Sequence, residues 1–426
     1  MGSLRSTATL VDASVPPRQV APARAPYGTC VVVGLGGLFA GVTGPLLSAF
    51  VPLLAQAAIG DRRTLIGAVM SIDNLLLLLL VPWAGAASDR ASASGRGRLA
   101  IVLAGFLLAS AGMALFASPV VAGAIGLVAS MVVLYTGINV QRAPFQALVA
   151  DLVPSRHRSF ASGSVTFQMC VGAIVFLMLG QRLGMRSAFL IASGTVLVIA
   201  AAFASSLREP AAPQSHAADA TFRSLFDAAW TAVRGEVAGT RAIFLASFLL
   251  QLTFQTFTTW FSLHGTERFG LGPEDVTIGM IAWAVGGVIG ALPAGFIGSR
   301  MGRRNAMLLG FALMAVCLFA LHGVATIAQA TPLLALASAS WTLPTVNAYP
   351  LFVEPVPKER RGILAALFLL CMALGGAIGD PLNGGIFDLV GSYRPLFLLM
   401  AGYTGLALVA VLFIPRGTGE AGTGSE

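Results

Sequence analysis

Apolar residues in this chain come in runs of about twenty, without the strict alternation of half-buried strands. Each run therefore predicts a helix long enough to cross a bilayer core about 30 Å thick. Twelve spans follow from the pattern, at roughly 28–57, 64–87, 99–117, 121–148, 159–181, 187–207, 242–263, 276–299, 305–323, 331–353, 362–387 and 393–415. Polar positions gather in the short connections. The longest and most polar connection, 208–241, holds Arg208-Glu209-Pro210, an Ala/Pro-rich stretch over 211–220 and an amphipathic segment from Phe222 to Val233. The expected fold is an all-α integral membrane protein. Its twelve transmembrane helices form two pseudo-symmetric six-helix bundles, 28–207 and 242–415, joined by a cytosolic linker at 208–241. Residues 1–27 and 416–426 read as cytosolic tails, the first disordered. Before Tyr27 there is no apolar core of signal-peptide length, so the run from Gly28 is expected to stay in the membrane.

Composition agrees with the pattern. The chain is 56% hydrophobic and 10% charged, against about 25% charged residues in soluble domains. In lipid, so apolar a chain has to satisfy its backbone hydrogen bonds within helices or a closed barrel. The net charge of +8 does not point to nucleic acid, because the basic residues sit in short loops and not on one face or tail. With the N-terminus inside, Lys and Arg divide 19 inside to 6 outside, with Arg142 left within a span. That bias predicts a multi-pass protein of the cell (inner) membrane with both termini cytoplasmic. Cys30, Cys170, Cys317 and Cys371 lie far apart in apolar stretches, and read as small apolar residues with no metal or disulfide pattern. The single lysine, Lys358, follows Pro-Val-Pro with no glycine-rich run, which excludes a phosphate-binding loop. No HExxH or GxSxG motif points to an enzyme.

The two halves repeat. Gly85-Ala86-Ala87-Ser88-Asp89-Arg90, followed by Gly95-Arg96-Gly97-Arg98, has a weaker copy 210 positions on, at Gly295-Phe296-Ile297-Gly298-Ser299-Arg300-Met301-Gly302-Arg303-Arg304. Asp151, Pro154 and Arg158 map onto Glu354, Pro357 and Arg361 at an offset of 203. A duplicated bundle of this kind places a substrate site near the midplane between its halves.

Spacing, hairpins and central linker resemble the major facilitator superfamily across 28–415. A finer resemblance is to its sugar–cation symporter branch. It is carried by Ser71-Ile72-Asp73-Asn74 leading through Pro82 to Ser88-Asp89-Arg90, by Pro144 through Leu152, by Asn347-Ala348-Tyr349-Pro350 and by Phe387 through Arg394. The resemblance implies a secondary carrier for a small molecule, working as a monomer by alternating access, with no cofactor beyond a coupling proton. Proton-coupled uptake of a sugar or glycoside is the first expectation. Efflux of a drug or natural product is the alternative, although the fifth span, Gly163 to Gly172, lacks the Gly-Pro pair common in efflux carriers. A non-transporting assembly or sensor protein is a third reading. The resemblance also implies a cytosolic gate in which Asp89 meets Arg360 and Arg361 of the other half, together with Gly85, Arg90, Arg96, Arg98, Asp151, Arg158 and Glu354. Local capping of Arg90 by Asp89 is the simpler alternative. Here Gly97 splits Arg96 from Arg98, and Ser299 stands where the first hairpin has Asp89, so the first hairpin should dominate any charge-based gate.

Asp73 is the residue on which coupling is expected to rest. It lies about nine residues into the second span, roughly 13 Å down at 1.5 Å per residue, near the middle of the core. A bare carboxylate there costs several kcal/mol unless it is protonated, paired or in contact with water. A carboxyl that loads and loses a proton is what a proton-coupled carrier needs; a packing role is the alternative. Asn74, Asn139, Gln168 and Gln255 carry donors and acceptors suited to sugar hydroxyls, or could serve as glue between helices. Trp341, near mid-depth, offers a face for a sugar ring or for packing. Arg142 is expected to snorkel or to pair with Asp151. Asp380, counted about 27 Å along its helix, is expected near the outer surface and ranks below Asp73 for coupling. Gly44-Pro45 and Pro293 are expected to kink their helices.

Overall fold

The computed structural model describes residues 27–95, 97–154, 157–208, 239–353 and 361–415. The expected tails, nearly all of the linker and the gate residues Arg96, Glu354 and Arg360 lie outside the described residues, as does the side chain of Arg361. The elements are α1 (Tyr27–Ile59), α2 (Arg63–Met70), α3 (Ile72–Ala93), α4 (Leu99–Phe116), α5 (Ala124–Leu152), α6 (Arg158–Ser206), α7 (Thr240–Phe269), α8 (Val276–Met301), α9 (Arg303–Gly323), α10 (Ile327–Val353), α11 (Arg361–Val390) and α12 (Leu396–Leu412), with a 3-10 turn at Pro119–Ala122. Among the described residues there is no strand.

These helices are the twelve expected spans, divided differently from the hydropathy pattern. The second span is α2 followed by α3, with Ser71 between them. The Ser71 hydroxyl donates back to the Gly67 carbonyl at 2.9 Å, a bond that loosens the ladder of a helix at that turn. The fifth and sixth spans are the two arms of α6, which reverse at Gly184, where φ is +77°; a β-carbon would strain that left-handed turn. Of the expected kinks, α8 bends by 44° around Pro293, while α1 runs unbroken through Pro45 and Pro52. Neighbouring helices can support a proline-interrupted ladder within a membrane bundle.

Small residues let the helices approach closely within each half. A β-carbon on Gly37 of α1 would lie 1.9 Å from the Val165 carbonyl of α6, and one on Gly286 of α8 would lie 2.0 Å from the Ala335 carbonyl of α10. Close backbone approach at small residues is how helices gain contact where lipid and side chain are equally apolar. Trp260 and Trp283 are buried in aromatic clusters, Trp260 against Phe387 and Tyr393, and Trp283 stacked on Phe257 with ring centroids 4.2 Å apart.

The halves meet along α2 and α11, with further contacts of α1 on α7, α6 on α8 and α3 on α11. Among the described residues, the hydrogen bonds between halves all lie toward the end of the bundle opposite the chain termini. Asp388 at the end of α11 accepts from the backbone N–H groups of Arg63 and Thr64, at 2.9 and 2.8 Å, and from the Thr64 hydroxyl at 2.6 Å. One carboxylate thus caps the N-terminus of α2, where unpaired N–H groups and the helix dipole favour an anion. Arg63 donates to the Gly391 carbonyl at 3.1 Å, and its guanidinium sits 4.7 Å over the Tyr393 ring. The Ser262 hydroxyl donates to the Ser48 carbonyl at 3.1 Å.

Candidate functional site

Asp73 lies two residues beyond Ser71, on α3, which packs against α5. Asp73 is half-buried, and its Oδ1 accepts from Asn139 Nδ2 at 3.0 Å. Asn139 is fully buried; its amide also donates to the Tyr135 carbonyl at 2.9 Å, and its own Oδ1 has no partner. Asp73 therefore faces protein and not lipid tails. Arg142, one turn beyond Asn139, acts electrostatically on Asp73. It does not bond Asp151, whose carboxylate is taken by Arg98.

Across the seam, α11 carries the matching polar group. Asp380 is fully buried. Its Oδ2 accepts from Gln255 Nε2 of α7 at 3.1 Å, the Thr259 hydroxyl lies close enough to act on the same carboxyl, and Oδ1 has no partner. Close by on α11, Asn383 donates to Thr256 at 2.8 Å and accepts from Tyr403 at 2.7 Å. The two acids are within electrostatic reach of each other, and Tyr135 lies within reach of both. The expected placement of Asp380 near the outer surface is thus corrected. Its burial is made by α2 and α7 packing over it, not by distance along α11. Asp388, two turns further on, is the acid that reaches the exposed end.

Spacing explains how the seam brings these groups together. β-Carbons added at Gly384, Gly67 and Gly376 would lie 2.4 Å from the Arg63 carbonyl, 2.2 Å from the Asp380 carbonyl and 2.2 Å from Asn74 Nδ2. Positions 376, 380 and 384 of α11 fall four apart, on one face, and they press on 74, 67 and 63 of the second span. Asn74 is buried by this contact and its Nδ2 has no partner. Small residues in Gly375-Gly376-Ala377-Ile378-Gly379-Asp380-Pro381 were the available sign that this segment lies against another backbone.

The other candidates are placed elsewhere. Gln168 donates to the Val31 carbonyl at 2.9 Å and to Ser164 at 3.2 Å, tying α6 to α1. Trp341 of α10 stacks on Phe254 of α7, centroids 4.9 Å apart, with its Nε1 buried and unpartnered. At the termini end, Arg98 is 5% exposed. It pairs with Asp89, donates to Asp151 at 3.0 Å and reaches the Ser88 hydroxyl at 2.8 Å. Asp89 therefore finds its cation within its own half, neither Arg90, which is exposed, nor a described group of the other half. Gly97, with φ at +76°, makes the turn that sends Arg98 back under α3, so the split of the two arginines is what positions one of them. Arg158 closes the end of α5 through the Ala150 and Val153 carbonyls, at 3.1 and 3.4 Å. Gly85 has only ordinary contact, with Ala143. In the second hairpin Ser299 bonds its own helix at the Phe296 carbonyl, and Arg304 donates to the Ile414 and Leu412 carbonyls.

The family model described as Major Facilitator Superfamily matches residues 33–379 and, in a second alignment, 243–426. The chain belongs to the major facilitator superfamily. It is 25% identical to Multidrug resistance protein 2 of Bacillus subtilis (strain 168) over 283 residues, 62% of this chain and 67% of that protein. It is 28% identical to the Hexuronate transporter of the same organism over 172 residues, 38% of this chain and 40% of that protein. Solved structures share the fold at low identity. A bacterial homologue of the human lysosomal transporter Spinster superposes with a TM-score of 0.70 at 14% identity, covering 92% of this chain and 96% of that one. A D-xylose-proton symporter gives 0.67 at 17%, covering 92% and 99%.

Proposed function

We propose that this chain is a secondary carrier coupling a proton to a small, neutral, hydroxyl-rich solute, in the manner of sugar or glycoside symport. The observation that carries this reading is the acid–amide cluster at the seam. Asp73 held by Asn139 supplies an acid for the proton, the neighbouring Asn74 keeps a buried, unpartnered Nδ2, and across the seam Gln255 holds the second acid, Asp380. Buried amides with spare valences suit hydroxyls, which both give and accept hydrogen bonds. Trp341 stacks on Phe254 away from this cluster, so the reading rests on the acids and amides and not on an aromatic platform. Proton and solute together shift the equilibrium between two orientations of the halves, 28–207 and 242–415, and the membrane field adds about 2.3 kcal/mol per charge per 100 mV. In this reading the protein acts as a monomer in the inner membrane with both termini in the cytosol, and the Arg98 cluster belongs to the cytosolic side.

Proteoliposomes supplied with D-xylose or sucrose test the reading. At least one should trigger alkalinisation of the outside medium, and Asp73→Asn should abolish it. Solute-independent export of a hydrophobic cationic dye, with no response to any sugar, would sink it. That outcome belongs to a second reading, proton-driven efflux, which the likeness to Multidrug resistance protein 2 favours. A folded protein moving neither class of solute would point to a sensor or assembly role.

A further inference from the structure

We propose that Asp380 is a second proton-binding residue of this carrier, set on the opposite half from Asp73, and that the two acids load and release protons as one coupled pair. This rests on the carrier reading above. Asp380 is fully buried, and a lone charge in such a place costs several kcal/mol. Among the described residues, what surrounds it supplies no counter-charge. Gln255 and Thr259 from α7 are neutral; Gln255 donates to the carboxyl and Thr259 lies beside it. The backbone of Gly67 from α2 closes over its peptide carbonyl. The charged side chain that acts on it is Asp73 of α3, an acid, and Arg142 acts on Asp73 from the far side. Two carboxylates within reach of one another in a low-dielectric seam repel, and a proton on either relieves both. Oδ1 of Asp380, buried and unpartnered, is the atom left to carry it. Binding adds one proton from water to Oδ1, release returns it to water, and no other bond changes.

Position makes the second acid consequential. The Asp380 carbonyl and Gly67 form one of the close backbone contacts between α11 and α2, so the residue sits on the surface that parts when the halves rock. Closure of the seam dehydrates Asp380 and favours its neutral form; opening lets water reach it. Asp73 is held within the first half by Asn139. The pair therefore spans the moving joint, one acid on each side.

Infrared difference spectroscopy of the purified full-length protein during a pH titration tests the proposal without any cargo. It can therefore fail while the cargo reading stands, and the reverse. The expected result is two carboxylic-acid carbonyl bands that disappear as pH rises, one missing in Asp73→Asn and the other missing in Asp380→Asn. Asp73→Asn, which removes the facing charge, should also move the Asp380 titration to lower pH. Should Asp380→Asn fail to insert, Asp380→Glu keeps the acid and is expected to displace that band without removing it. A band that persists at every pH, an Asp380→Asn spectrum identical to the parent, a band unmoved in Asp380→Glu, or a titration indifferent to Asp73→Asn overturns the proposal.

Discussion

At the scale of single residues, Arg98 shows how one side chain organises a hairpin. It is nearly buried while its partners Asp89 and Asp151 keep part of their surface in solvent. Removing the arginine strands two acids, and breaking a buried pair from one side costs about 3–5 kcal/mol, less where the survivors are hydrated. Arg98→Ala is thus expected to destabilise the protein by roughly 2–4 kcal/mol, read as a lowered melting temperature in detergent. Asp89→Asn, on the more exposed side, should cost well under half of that. Equal losses from both changes would refute the central role of Arg98. Asp73 and Asp380 show the opposite case, acids whose hydrogen bonds come from amides. Their environment was only half readable beforehand. A carboxyl in an apolar run is plain in the sequence, but Asn139 lies 66 positions from Asp73, and Gln255 lies 125 from Asp380.

At the scale of elements, the second span divides the labour of the seam. Its first part, α2, packs chiefly on α11 of the other half, while α3 packs on α5 of its own. A carrier that alternates has to part α2 from α11. A methyl at Gly67 would stand 2.2 Å from the Asp380 carbonyl, so Gly67→Ala is expected to favour the parted state. Spin labels on the 60–62 and 391–395 loops should then report longer distances. Gly37→Ala, whose methyl meets a helix of the same half, should lower stability without lengthening that distance. Asp388→Ala removes the cap of α2, an interaction of about 1 kcal/mol, and should raise the parted population roughly fivefold. An unchanged distance distribution in both seam variants would mean that this seam does not open.

At the scale of the whole molecule, the described bonds between halves gather at the end away from the chain termini, and the charged hairpin of Arg98 stands at the other end. The proposed orientation puts the hairpin end in the cytosol. Single cysteines introduced at Ser94 and at Gly391 should therefore differ in intact cells: a membrane-impermeant thiol reagent should label the second and spare the first. Among the described residues, Cys30 and Cys317 are buried free thiols and Cys170 is partly covered; the parent protein, which also carries Cys371, measures the background. Reversed labelling would invert the orientation.

What the linear chain determined is what depends on local chemistry and count. Long apolar runs dictate helices because lipid offers no partner for backbone groups, and their number and repetition dictate a duplicated bundle. The acid at position 73 marks itself because a carboxyl in such a run needs a reason. Tertiary structure alone decided who partners whom. Depth counted along α11 put Asp380 near a surface, but burial is the work of neighbours from other parts of the chain, and α2 and α7 cover it. Proximity in sequence offered Arg90 to Asp89 and Arg142 to Asp151, but a left-handed turn at Gly97 gave both acids to Arg98. Hydropathy records how each residue meets solvent on average; which side chain lies across from which depends on crossing helices whose contacts are set by a few glycines, and that information exists only when the chain is folded.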